Sequence, residues 1–169
     1  MGIIKTFFLA IIFGLAVYIG NSKANQYINR LKELISIKSV LNILENKIKF
    51  TQSPLQEIFK QIAENCSEKN IKKIFQLLEK EQDKNLHRNW ENTINKIESN
   101  LNYEDKKILI DMGKILGTTD VEGQVSNIKI ANSFIDKQIE NAEKEKEKNV
   151  KLFRTLGIVS GLGIIIILI

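Results

Sequence analysis

The sequence contains one cysteine, one proline, one histidine and one tryptophan, and each scarcity removes a class of explanation. Cys66 alone leaves no internal disulfide and no thiolate cluster for a metal, and it reads as a small apolar filler on a helix. His87 has no Cys, Asp or Glu at zinc-ligand spacing, so it reads as an ordinary surface histidine rather than a ligand or base. Strand-like alternation and a fixed-period repeat are both missing. So are a GxxxxGK loop closed by Ser or Thr and a GxGxxG after a strand, which excludes the usual nucleotide cradles. The acids Glu79, Glu81 and Asp83 interleave with Lys80 and Lys84, as on a solvated helix face rather than a metal site. Nothing here supports an enzyme, a cofactor or a metal.

Charge is missing from both ends. Apart from Lys5, the charged residues lie between Lys23 and Arg154. Residues 6–20 are uncharged, and Ile3 and Ile4 extend the apolar stretch past Lys5, which can snorkel. Ser22-Lys23-Ala24 loosely matches a signal-peptidase site. A positive region of one lysine and a helical pattern running straight through favour a retained span. The second apolar run, Leu156–Ile169, covers roughly 21 Å as a helix, short of a bilayer core. Val150, Leu152 and Phe153 lengthen it to roughly 20 residues if Lys151 and Arg154 snorkel. Within it Gly157 and Gly161 form a GxxxG, with Ser160 and Gly163 adding small surface, a pattern that lets helix backbones approach closely in lipid. Gly14 offers a matching flat spot on the first span. Chance is the alternative, since glycine is common in membrane helices.

Between the ends the spacing is helical. Ile28, Leu31, Leu34, Ile37, Leu41, Leu44 and Ile48 line one face of a long helix, with Lys32, Glu33, Lys38, Asn42, Glu45 and Lys49 on others. No breaker separates Gly20 from Phe50. Thr51-Gln52-Ser53-Pro54 stops it, and Ser53 with Gln56 predicts a capping box for a second helix carrying Leu55, Ile58, Phe59 and Ile62. Ser67 is the expected cap of a third, with Ile71, Ile74, Phe75 and Leu78 inward. A fourth carries Leu86, Trp90, Ile94 and Ile97, and Trp90 reads as core. Asn102 and Asp105 cap a fifth holding Ile108, Leu109, Met112, Ile115 and Leu116. Gly117 suits a left-handed stop and Asp120 a new cap. The last helix holds Val125, Ile128, Ala131, Ile135, Ile139 and Ala142, then passes through alternating Glu and Lys into the terminal run. The expectation is an all-α chain: a membrane helix over 1–21, a compact bundle of about six helices over 22–152, and a second membrane helix over 153–169.

Lys outnumbers Arg 22 to 3, and the net charge of +5 is spread among acids, which fits a surface near anionic lipid better than a nucleic-acid site. Lys23, Arg30 and Lys32 flank the first span on the bundle side. Lys144, Lys146, Lys148, Lys151 and Arg154 flank the second, against Lys5 alone on the far side. The positive-inside rule therefore puts the bundle in the cytoplasm of a two-pass protein.

The order of these features resembles the stage III sporulation protein AB family over essentially the whole length. The most specific stretch is Lys114 to Asp120 followed by Gln124, a Leu-Gly-x-x-Asp-x-x-x-Gln element formed by Leu116, Gly117, Asp120 and Gln124. These residues have a plain structural role as helix stop, helix start and back-bond, with partner contact as the alternative. The resemblance implies similarity to the cytoplasmic domain of the type II secretion inner-membrane platform protein. It further implies a place in a channel-like complex joining mother cell and forespore, in the mother-cell membrane around the forespore. The implied partners are the companion ATPase, stage III sporulation protein AA, and other membrane subunits, with self-association as a way to supply the second domain that platform proteins carry. A simple membrane tether or sensor for a soluble partner is the alternative function.

Overall fold

The computed structural model describes residues 2–51, 53–80 and 86–168, with side chains from Lys5 onward. Among them are six helices and no strand: α1 (Gly2–Phe50), α2 (Leu55–Asn65), α3 (Lys69–Lys80), α4 (Leu86–Lys96), α5 (Tyr103–Gly113) and α6 (Val121–Leu168). They form two compact units. One is Lys32–Glu140, a helical bundle; the other joins Met1–Leu31 to Asn141–Ile169 as a pair of helical segments.

The bundle is built on the apolar spacing of its sequence. On α1, Leu34, Ile37, Leu41, Leu44 and Ile48 are buried, with Val40 beside them. The helix ends where Thr51 returns both its amide and its hydroxyl to the carbonyl of Lys47. Lys47 and Lys49 in the last turn suit the negative end of the helix dipole. Ile58, Phe59 and Ile62 of α2, Ile71, Ile74, Phe75 and Leu78 of α3, and Trp90 and Ile94 of α4 are buried in the same core. Phe59, Phe75 and Trp90 meet at centroid distances of 5.8 to 6.0 Å in tilted and edge-on geometry, and the indole Nε1 donates 2.8 Å to the carbonyl of Leu109. Gly113 closes the site, because a Cβ there would overlap the indole ring. From α6, Val125, Ile128, Ala131 and Ile135 complete the core.

Two expected caps are replaced. Ser53 does not cap α2; Pro54 occupies that position with φ −53° and ψ 140°, no side chain caps, and its carbonyl accepts from Glu57 and Ile58. The extended proline is the last residue outside the helix, which leaves Ser53 one residue too early for the capping box with Gln56. At α3 the carboxylate of Glu68, not Ser67, accepts from the amide of Ile71 at 2.8 Å. The box at α5 does form in both directions, Asp105 N–H to Asn102 at 2.8 Å and Asn102 N–H to Asp105 at 3.0 Å. α5 also stops at Gly113, so Ile115 and Leu116 lie in a turn rather than in the helix. Gln52, Glu81, Asp83 and Lys84, named above for the first stop and the acidic face, lie outside the described residues.

Glu33, placed by its spacing on a polar face of α1, is 1% exposed. Its carboxylate accepts from the Asn70 amide at 2.8 Å, from the Asn100 backbone at 2.9 Å and from the Asn100 amide at 2.7 Å. One side chain thus fastens α1 to α3 and to the segment before α5. By contrast, Lys38–Asp136 and Lys129–Glu45 are partly exposed ion pairs of small weight.

Glu33→Ala leaves three donors without their acceptor and is expected to cost about 3 kcal/mol. Thermal unfolding of the full chain in detergent, read through the fluorescence of its single tryptophan, checks this; an unchanged midpoint would show the cluster is not structural. Gly113→Ala is expected to lower the same midpoint and to shift the emission of Trp90, because the indole must move to make room.

Candidate functional site

Two places concentrate the residues singled out by sequence: the turn between α5 and α6 in the bundle, and the paired helical segments of the other unit. In the turn, the amide of Ile115 donates to Met112 and that of Thr118 to Ile115. Gly117 follows with φ +75°, a left-handed conformation that costs a residue with a Cβ. Leu116 is 3% exposed and anchors the turn in the core. Asp120 caps α6 by accepting from the amide of Gly123 at 2.9 Å, while its carbonyl accepts from the amide of Gln124. The Gln124 side chain uses both ends of its amide: Oε1 accepts from Gly117 N–H at 3.0 Å and Nε2 donates to the carbonyl of Thr119 at 2.9 Å. One turn later, the Asn127 amide donates to the carbonyl of Met112. All four motif residues therefore come together, and each serves the turn itself. At the rim, the Asp111 carboxylate lies 2.6 Å from the exposed Lys114 and holds its ammonium above the usual lysine range, mainly through that hydrogen bond.

In the paired segments, α1 and α6 approach at backbone distance. A Cβ on Gly20 would lie 2.6 Å from the carbonyl oxygen of Phe153 and 2.9 Å from the Cα of Gly157. On Gly157 it would lie 3.0 Å from the carbonyl oxygen of Ala16, and on Gly161 2.8 Å from the Phe13 ring. Gly157 and Gly161 thus share the contact face: Gly157 meets Gly20, and Gly161 meets Phe13 and Ala16. Gly14, expected to supply the flat spot, has nothing within 4 Å of a built Cβ. Register explains this: the helices are set so that the Gly20–Gly157 crossing lies near the bundle end of the spans, almost two turns from Gly14. Ser160 is exposed, and its hydroxyl donates 3.2 Å to the carbonyl of Gly157 on its own helix. Nearer the charged segments, Tyr27 stacks on Phe153 at 5.9 Å and Arg30 pairs with Glu145 at 2.7 Å.

Both helices are long and apolar enough to cross a membrane, and in their most apolar windows only 17% and 11% of residues are buried. Phe7, Phe8, Leu15, Ile19, Leu156 and Val159 are among the large side chains left exposed. An uncovered apolar surface of that extent is foreign to the core helix of a water-soluble domain. His87 is half-buried on α4, and the thiol of Cys66 lies 3.4 Å from the Ser36 hydroxyl at the end of α2. Among the described residues, no three His, Cys, Asp or Glu group to hold a metal ion.

The model of the stage III sporulation protein AB family matches residues 5–169. Stage III sporulation protein AB of Bacillus subtilis (strain 168) is 26% identical over 154 residues, which cover 88% of this chain and 90% of that protein. No solved structure matches the chain.

Asp120→Ala and Gln124→Ala are each expected to cost about 1 kcal/mol, with less than additive loss in the double variant because both brace one turn. Gly157→Leu should lower the thermal midpoint of the full chain in detergent by separating the helices, at about 2 kcal/mol, while Gly14→Leu should leave it unchanged. Equal effects of the two leucines would contradict the observed register.

Proposed function

The chain belongs to the stage III sporulation protein AB family and has a role in sporulation; on that premise we propose that it is a membrane-anchored, non-enzymatic assembly platform. Its apolar helices cross the membrane as a two-pass anchor, and the bundle faces the cytoplasm, docking a secretion-type ATPase and neighbouring membrane subunits of a channel complex between mother cell and forespore. The observation that carries this is the family match over 5–169, joined to two helices whose apolar surfaces stay uncovered. Orientation is supported by Lys23, Arg30, Lys32, Lys144, Lys146, Lys148, Lys151 and Arg154 on the bundle side of the spans. The ATPase is the companion protein, stage III sporulation protein AA, that family resemblance implies.

Tagged full-length protein, extracted in mild detergent from sporulating cells, should recover the ATPase, and deletion of its gene should arrest development after engulfment. Normal spore yield without the gene, together with no recovered ATPase, would overturn the platform and leave a simple tether or sensor. Orientation has its own test. In a Cys66→Ser background, Tyr103→Cys places a thiol at a position 80% exposed on the bundle. A membrane-impermeant maleimide should label it only after permeabilisation; labelling in intact cells would reverse the topology.

A further inference from the structure

We propose that the two apolar helices hold one anionic phospholipid in a groove on their surface, its phosphate on Arg154 and an acyl chain lying over Gly14. This rests on the reading that these helices cross the membrane. The groove has a volume of about 370 Å³ and is lined by Gly14, Val17, Tyr18 and Asn21 of α1 and by Arg154 and Ile158 of α6. That size falls in the ordinary range of small-ligand clefts, about 300 to 1,000 Å³.

Its polarity runs along the helix axis. Gly20 abuts the carbonyl of Phe153, so the next residues, Asn21 and Arg154, lie at one level. Gly14 is seven positions back along α1, about 10 Å deeper in the apolar stretch, and Ile158 is one turn beyond Arg154. Polar groups at the water boundary and apolar groups below it match the long axis of a lipid and of few other ligands. Gly14 also has a property that helix packing does not explain. Cβ atoms on Gly20, Gly157 and Gly161 would strike the opposite helix, whereas one on Gly14 meets nothing within 4 Å. Its missing side chain leaves the groove floor open.

The charge around the groove is of one sign. Residues 6–31 and 148–168 contain no Asp or Glu, and they carry Lys23, Arg30, Lys148, Lys151 and Arg154. Arg30 is neutralised by Glu145 at 2.7 Å. Among the described residues, no carboxylate pairs with Arg154. A guanidinium presents paired donors suited to phosphate oxygens, and the Asn21 amide and Tyr18 phenol add further donors at the rim. Cationic surroundings without an acid select a headgroup with net negative charge over one that also carries an ammonium.

Full-length protein in non-ionic detergent is titrated with dioleoylphosphatidylglycerol, dioleoylphosphatidylcholine or inorganic phosphate, and bound species are counted by native mass spectrometry. The glycerol lipid should be retained about fivefold better than the choline lipid. Arg154→Gln should erase that preference, and Gly14→Leu should reduce retention of both lipids. Equal retention of the two lipids, or unchanged retention in Gly14→Leu, would overturn the groove. Displacement of the glycerol lipid by equimolar inorganic phosphate would assign a phosphate site and overturn the lipid. A carbonate wash of membranes separates the two levels. Release of the chain would defeat the membrane reading itself, while a chain that stays but shows no lipid preference defeats only this inference.

Discussion

A buried carboxylate sets the terms for the bundle. Removing an ionisable group from water is costly unless its lone pairs are met, and Glu33 meets that cost with three donors from two distant segments. Asn70 sits at the start of α3 and Asn100 just before α5, so each helix must begin where its asparagine can reach α1. The neighbouring capping box at Asn102 and Asp105 then fixes the direction in which α5 leaves. Apolar contacts fill the space between these helices, but they tolerate sliding that three directed hydrogen bonds do not. The core is therefore held in register by a polar cluster at its edge, and the aromatic trio of Phe59, Phe75 and Trp90 packs inside a frame already defined.

Much of the bundle was legible because a helix repeats its environment every three or four residues. Ile71, Ile74, Phe75 and Leu78 declare a buried face by spacing alone, and all four are buried. What spacing could not declare is a partner far along the chain. Glu33 looks solvated among Lys32, Lys38 and Glu45, and only the approach of Asn70 and Asn100, 37 and 67 positions later, turns it inward. Gly113 is equally silent in sequence, since its need is set by Trp90 on another helix. The caps failed for a more local reason. Ser53 and Ser67 each stand one residue too early, and a shift of one position is within the uncertainty of any pattern that marks a boundary by composition. Asn102 with Asp105, and Asp120, do cap the helices expected of them.

The paired helices divide in the same way. Gly157 and Gly161 are four apart on one helix, so their shared face can be read directly. Which residue they meet depends on the register of two segments separated by more than a hundred residues, and that is decided by everything between them. The sequence pointed to Gly14 as the matching flat spot; geometry brings Gly20 against Gly157 instead and leaves Gly14 open. A glycine therefore carries two opposite meanings here. One removes a side chain so that another backbone can approach, and the other removes it so that space remains.

The turn that carries the family resemblance leads to a constraint on recognition. Leu116 is spent on the core, Gly117 on a left-handed φ, Asp120 on the first turn of α6 and Gln124 on bonds to Gly117 and Thr119. A partner reaching this surface finds those functional groups already occupied, and it would have to break the turn to use them. On the platform reading, docking must draw on side chains to which the bundle gives no such employment. Tyr103, Ile130 and Phe134 are of that kind, apolar in body and 80%, 52% and 53% exposed. On that reading the motif would fix the frame from which such side chains project, and specificity for a partner would lie in the projection rather than in the motif.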